Sequence, residues 1–206
     1  MKRVASARPT YSLDDVVARG RKTVVRRKRM SDAAEEYEWR KDAELARYDA
    51  SRPVQVPFAD YQRNWSFDMR YTDAAGRSFA VEDESGRHIG NIMYYNQDGE
   101  RGEAELGISI GERRCWDRGY GSDAVWALVR HLFRTTGLRR LYLHTLDWNE
   151  RAHKAFEKAG FADCGTSWRD GNTFLVMEVR REWVVESSPP LSPSKLERRE
   201  AKLGQS

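Results

Sequence analysis

The spacing of apolar residues changes period several times along this chain, and each change marks an element. "KTVVRRKR" (22–29) has a β-branched centre between basic ends and predicts a strand. Ser31 and Asp32 then form a helix-start signal. "SDAAEEYEWRKDAELARY" carries no Gly or Pro, so one helix is expected to run until "SRPVQVP" breaks it. "FADYQRNWSFDMRY" (58–71) predicts a second helix and "DAAG" (73–76) a turn. The period then shortens to two. "RSFAVED", "HIGNIMYY" and "EAELGISI", separated by "ESG" and "NQDGERG", read as an antiparallel meander with side chains alternating between faces.

Helical spacing returns with Val125, Leu128, Val129 and Leu132, and "TTG" ends that helix at Gly137. "RRLYLHTL" (139–146) predicts a strand. Asn149 is a good N-cap for the next helix, whose apolar stripe is Ala152, Ala155, Phe156 and Ala159 and whose C-cap is Gly160. "FADCGTSW" and "TFLVMEVRREW" around "RDGN" make a closing hairpin. Residues 1–20 read as a loosely held arm in which "YSLDDVVA" makes one or two helical turns. From 184 the composition turns to a flexible charged tail, leaving 21–183 as the folded domain. The expected fold is mixed α/β (α+β), with about seven mostly antiparallel strands and about four helices around one sheet.

Composition narrows the function classes. The 206 residues are 39% hydrophobic and 33% charged, which fits a soluble globular domain able to bury its own core. The net charge of +4 mildly favours an anionic ligand. Acidic residues (32) nearly balance basic ones (36), which argues against nucleic acid as a partner despite "RKTVVRRKR". Two cysteines and four scattered histidines show no metal-ligand spacing, so no metal is expected. Reduced thiols, no apolar leader core and no run long enough to cross a membrane predict a cytoplasmic protein without a membrane partner.

The candidate chemistry sits in "RCWDRGYGSDAVWALVRHLF" (114–133). Two glycines stand where a helix begins, with Trp116 and Arg118 leading in. Glycine lets backbone N–H groups turn toward a ligand, and a helix N-terminus adds unpaired donors and partial positive charge. That combination suits a diphosphate. No Gly-Lys-Ser/Thr follows, which excludes a P-loop. Gly119, Gly121 and Ala124 fit a dinucleotide G-x-G-x-x-A pattern, with Asp147 as its acidic residue. Yet "GERRCWDR" separates the strand from the first glycine, and the strands before it form a meander. A turn that merely starts a helix is the remaining alternative.

"CWDRGYGSDAVWALVRHLF" resembles motif A of the GNAT superfamily of N-acetyltransferases, Q/R-x-x-G-x-G/A, with Trp116 at the Q/R position. "LHTLDWNERAHKAFEKAGF" is similar to the motif that follows it in that family, at the usual spacing. The resemblance spans about residues 22 to 183, and "RGYGSDA" with Trp116 resembles its RimJ/RimL-like branch. It implies a sheet splayed in the middle and acetyl-CoA as co-substrate. The pyrophosphate would lie on the amides of Arg118, Gly119, Tyr120, Gly121 and Ser122. The pantetheine arm would pair with Ile108, Ser109 and Ile110 and bond Asn149. A homodimer is implied by resemblance only.

The implied reaction is attack of a neutral amine on the thioester. Deprotonating a lysine-like amine at pH 7 costs roughly 4 kcal/mol, so a base is useful. Glu105 is the candidate, opposite in parity to Leu106, Ile108 and Ile110, and Glu103 shares its parity. The amide of Ser109 or Ile110 would hold the oxyanion. The family often has a tyrosine to protonate the departing thiolate where this chain has Phe156. Water, Ser122, or a nearby tyrosine such as Tyr94 or Tyr95 could substitute, and a non-catalytic acyl-CoA-binding module is the alternative function. The acceptor, a small-molecule or peptide amine, is expected between the first two helices and the closing hairpin, near Glu44, Asp49, Tyr48, Phe58 and Trp65.

Overall fold

The meander read from the alternating run forms the centre of an eight-stranded sheet. The computed structural model describes residues 15–70 and 77–184, with backbone only for 67–70. The strands are β1 (Val16–Arg19), β2 (Val24–Arg27), β3 (Arg77–Glu82), β4 (His88–Asp98), β5 (Glu103–Ile110), β6 (Arg140–Leu146), β7 (Ala162–Arg169) and β8 (Asn172–Arg180). They lie in the order β1-β2-β3-β4-β5-β6-β8-β7. All neighbours are antiparallel except β5 and β6. The helices are α1 (Asp32–Lys41), α2 (Ala43–Tyr48), α3 (Phe58–Arg70), α4 (Tyr120–Thr135) and α5 (Glu150–Lys158). No helix among the described residues is long and apolar enough to cross a membrane.

Two elements differ from the sequence reading. Residues 16–19, expected within a loose arm, form an extra edge strand. Val17 and Ala18 pack against the core, and the turn into β2 is clamped from a distance. The carboxylate of Asp123 on α4 accepts the amides of Arg21, Lys22 and Thr23 and the Thr23 hydroxyl, at 2.8–3.0 Å. The single long helix is broken at Asp42, whose backbone is extended (φ −70°, ψ 119°). Its carboxylate accepts the amides of Glu44 and Leu45, and this local bond competes with helix continuation and starts α2. The turn expected at 73–76, residues 1–14 of the arm and the tail from 185 lie outside the described residues.

The two faces of the sheet bury different chemistry. Val25, Val81, Ile92, Leu106, Leu141 and Val179 share one face and pack with α4 and α5 around Val125, Leu128, Val129 and Phe156. On the other face, under α1, Arg26 is 2% exposed between Asp32 and Glu82, both buried. Its guanidinium makes two 2.8 Å bonds to the Asp32 carboxylate and donates Nε–H to Glu82. This charge pair pins α1 to the sheet.

Removing one partner from such a cluster strands the others. Arg26→Met is therefore expected to cost about 3–5 kcal/mol in chemical denaturation. Burial alone would raise the Asp32 carboxyl, but Arg26, the Arg29 amide and His88 together hold it below its ordinary value of 3.8. A depressed folded value means stability that is present above the unfolded value and lost as pH falls through the folded one. Asp32→Asn should accordingly flatten the fall in stability below about pH 4, read from unfolding midpoints across pH.

Candidate functional site

The parallel strands β5 and β6 pair only over Glu103–Glu105 and Arg140–Tyr142. Beyond that they part, and a cleft of ≈ 430 Å³ occupies the gap. It is lined from both sheet faces. Ile108, Ile110, Val125 and Phe156 come from the α4/α5 side, whereas Tyr95, Gly107, Ser109 and His144 come from the opposite one. The opening is thus a passage through the sheet, reachable from each side.

The N-terminus of α4 meets the first of these sides. Gly119 is its N-cap with φ +83°, and Asp117 is also left-handed at φ +56°. Alternating φ signs of this kind make successive amides converge. Asp123 N–H already bonds the Gly119 carbonyl, so the amides of Tyr120, Gly121 and Ser122 have no carbonyl behind them. Gly119, Gly121 and Ser122 line the cleft, whereas the side chains of Arg118 and Tyr120 point elsewhere. Arg118 donates to the Arg114 carbonyl and Tyr120 to Glu84. A Cβ on Gly121 would meet nothing nearer than Ile110 Cγ1 at 3.7 Å. Protein packing therefore does not demand glycine there, and the bare position leaves room on the cleft side.

The free edge of β5 is the next wall. The Ile110 carbonyl turns to the open side and accepts the Trp116 indole N–H at 2.7 Å. The Ser109 carbonyl instead comes against Gly90 of β4, where a Cβ would overlap it. In an extended strand a residue's N–H and C=O point the same way, so the main chains of Ile108 and Ile110 face the cleft and that of Ser109 faces β4. Asn149 caps α5, its Oδ1 accepting the Ala152 amide at 3.2 Å, and it is buried against the cleft. Phe156 is buried against Phe161 as part of the apolar stripe, with its ring on the cleft wall.

The opposite mouth carries polar groups. Asp49, just after α2, lies near Ser109 on the cleft wall. Although the residue touches solvent, the surrounding cleft walls desolvate its carboxyl and raise it above the ordinary value. Tyr48 lines the same mouth beside Trp116 and Trp148, and the Arg151 guanidinium sits 3.6 Å from the Trp116 ring centroid and 4.5 Å from that of Tyr48. Deeper in, Glu105 is 3% exposed and does not itself line the cleft. It accepts bonds from Asn96 Nδ2 (3.0 Å) and His144 Nδ1 (2.7 Å). Burial, and then Glu105 itself, push the neighbouring Tyr95 phenol up to about 12, so its proton stays on across neutral pH.

Other sequence candidates lie apart from the cleft. Glu103 pairs with Arg140 at 2.8 Å below the split, and Glu44 pairs with Arg113 on the surface. Tyr94 stacks on Phe79 in the core, Phe58 packs on Tyr37, and Trp65 is buried with its indole N–H on Glu36. Asp147, outside the cleft, uses its amide on Thr173. The sequence reading missed Asp123, Arg151 and His144. Only parity hinted at His144, which shares a face with Tyr142, and no local signal says that β6 adjoins β5. Among the described residues no group of three or more His, Cys, Asp or Glu side chains is placed to hold a metal.

Comparison with known proteins agrees with this geometry. The family model described as "Acetyltransferase (GNAT) domain" matches residues 22–162. The chain is 27% identical over 169 residues to alpha/beta-tubulin-N-acetyltransferase 9 of Homo sapiens, covering 74% of this chain and 79% of that protein. Its fold is similar to a spermidine N-acetyltransferase from Vibrio cholerae in complex with CoA and spermine (TM-score 0.68, 19% identity, 78% and 96% coverage). It is also similar to an aminoglycoside acetyltransferase in complex with coenzyme A (TM-score 0.65, 23% identity, 78% and 95% coverage). With a family model matched over more than half its length and a cleft of this form, the chain belongs to the GNAT family of acetyltransferases.

Proposed function

We propose that the chain moves an acetyl group from acetyl-CoA to a primary amine by direct attack, with both substrates bound in the split between β5 and β6. The observation that carries this reading is the glycine-opened first turn of α4 facing a passage through the sheet. The diphosphate of acetyl-CoA would rest on the amides of Tyr120, Gly121 and Ser122. The pantetheine arm would run along the free edge of β5, and Asn149 would offer it the Nδ2 hydrogens that its capping bond leaves over. The thioester oxygen would take an N–H from Ile108 or Ile110, since the Ser109 main chain is turned to β4. The Ser109 hydroxyl stays near Asp49 on the acceptor side.

The amine would enter from the opposite mouth, drawn by Asp49. A protein or peptide N-terminus and a small polyamine or aminoglycoside are both candidate acceptors. The tubulin N-acetyltransferase relative supports a protein acceptor, and the resemblance to the RimJ/RimL-like branch is consistent with either class. The spermidine and aminoglycoside enzymes of like fold support the second. Phe156 cannot donate a proton, which favours a second reading as a binding module. A thiol of pKa near 8.5 leaves without help, so transfer does not require an acid at that position.

Thermal unfolding with acetyl-CoA, and with NAD as control, tests the diphosphate site. A ligand at a hundred times its Kd adds about 2.7 kcal/mol, which reads as a rise of several degrees. A rise with acetyl-CoA alone is expected; a rise with NAD alone would overturn the reading. Gly121→Ala should hold or raise the Tm of the free protein, because alanine favours the helix by up to about 1 kcal/mol. It should shrink the acetyl-CoA shift, because the methyl group fills the space left for the diphosphate. Thiol release with spermine, kanamycin and a peptide with a free N-terminus separates an enzyme from a binding module.

A further inference from the structure

Glu105, the carboxylate that the sequence nominates as base, has its lone pairs engaged and its side chain buried. Asn96 and His144 both donate to it, and the Tyr95 phenol lies close by. The group that carries this carboxylate's influence into the cleft is His144, which lines it just past the point where β5 and β6 part. We infer that His144 takes the proton from the acceptor amine and that Glu105 is the positioning residue behind it. This rests on the acetyl-transfer reading above.

Hydrogen-bond geometry determines which nitrogen does the work. A carboxylate only accepts, so Nδ1 carries the hydrogen in its 2.7 Å bond to Glu105. With the hydrogen on Nδ1, the neutral imidazole has its lone pair on Nε2, while Arg169 Nη2 lies 2.6 Å from Nε2 and 3.4 Å from Nδ1, over the ring face. Arg169 is exposed at the end of β7 and leaves the in-plane approach to Nε2 open. The groups facing the imidazole are Glu105 from β5, Arg169 from β7, Tyr142 from its own strand and Phe174 from β8, with Tyr95 and Asp49 lining the same cleft.

The proton balance follows. The acceptor ammonium gives one proton to Nε2, and its freed lone pair forms the C–N bond to the thioester carbon. The C–S bond breaks, with its electron pair leaving on the CoA sulfur. A second nitrogen proton goes to that thiolate, the third stays on the amide, and the imidazolium returns its proton to solvent through the open mouth of the cleft.

Two measurements on the full chain decide the matter. With ¹⁵N-labelled histidine, the His144 signal, identified by its loss in His144→Gln, is expected to show hydrogen on Nδ1 and none on Nε2. Glu105→Gln should abolish that preference. A His144 that carries its hydrogen on Nε2 would overturn the inference. In kinetics with whichever of spermine, kanamycin or an N-terminal peptide is turned over, His144→Gln should lower kcat/KM about 10²–10⁴-fold. It should also remove the ascending limb of the pH profile while leaving the acetyl-CoA thermal shift intact. His144→Asn provides a second variant, with the same shift as the check on folding. Full activity with an unchanged pH limb would sink the role of His144 and leave acetyl transfer standing. No turnover by the wild type, despite acetyl-CoA binding, would remove the acetyl-transfer reading itself.

Discussion

Three residue pairs of parallel hydrogen bonding hold β5 to β6, and the functional geometry depends on where that pairing stops. A parallel pair needs a long crossover, here supplied by α4. The crossover places the start of α4 beside the far end of β5, and the strands diverge around the cleft that it overlooks. Had the ladder continued past Glu105, Ile108 and Ile110 would spend their main-chain groups on β6, and the passage would close. The unpaired edge leaves backbone groups that need partners, and the Ile110 carbonyl finds one in the Trp116 indole.

The start of α4 joins two otherwise separate parts of the fold. Its carboxylate at Asp123 gathers the turn between β1 and β2, and Gly20 is required there because a Cβ would overlap that carboxylate. The same turn of helix presents free amides to the cleft. An acidic side chain there is favourable against the helix dipole, and it is spent on the neighbouring hairpin, away from the cleft. On the opposite sheet face the Arg26 cluster seats α1, and α1 with α2 sets the mouth of the cleft at Tyr48 and Asp49. Arg151 and the aromatic rings of Tyr48, Trp116 and Trp148 connect α2 to α5 across that mouth.

Much of the fold was legible from local pattern. The meander, α4, β6, α5 and the closing hairpin follow from alternation, helical stripes and glycine or asparagine caps, which are short-range effects. The break at Asp42 was less legible, because an aspartate inside a helical run signals a cap only when a second helix is packed to receive it. The strand at Val16–Arg19 was not legible, since four residues carry little pattern and its anchor lies about a hundred positions away.

The site divides along the same line. By itself the sequence determined the glycine turn that starts α4, the strand that borders it and the cap at Asn149, because glycines at a helix start and a capping asparagine act through their own backbone. It also set the parity of Glu105. Only the tertiary structure decided what that parity means. Glu105 meets His144 because two strands far apart in the chain lie side by side, and it is buried because Tyr95 and Asn96 from β4 close over it. Which main-chain groups of β5 are free was likewise a matter of strand pairing, turning Ser109 toward β4 and leaving Ile108 and Ile110 on the open edge. Local chemistry writes itself into neighbouring residues, whereas which side chain faces the substrate depends on contacts that only the folded sheet creates.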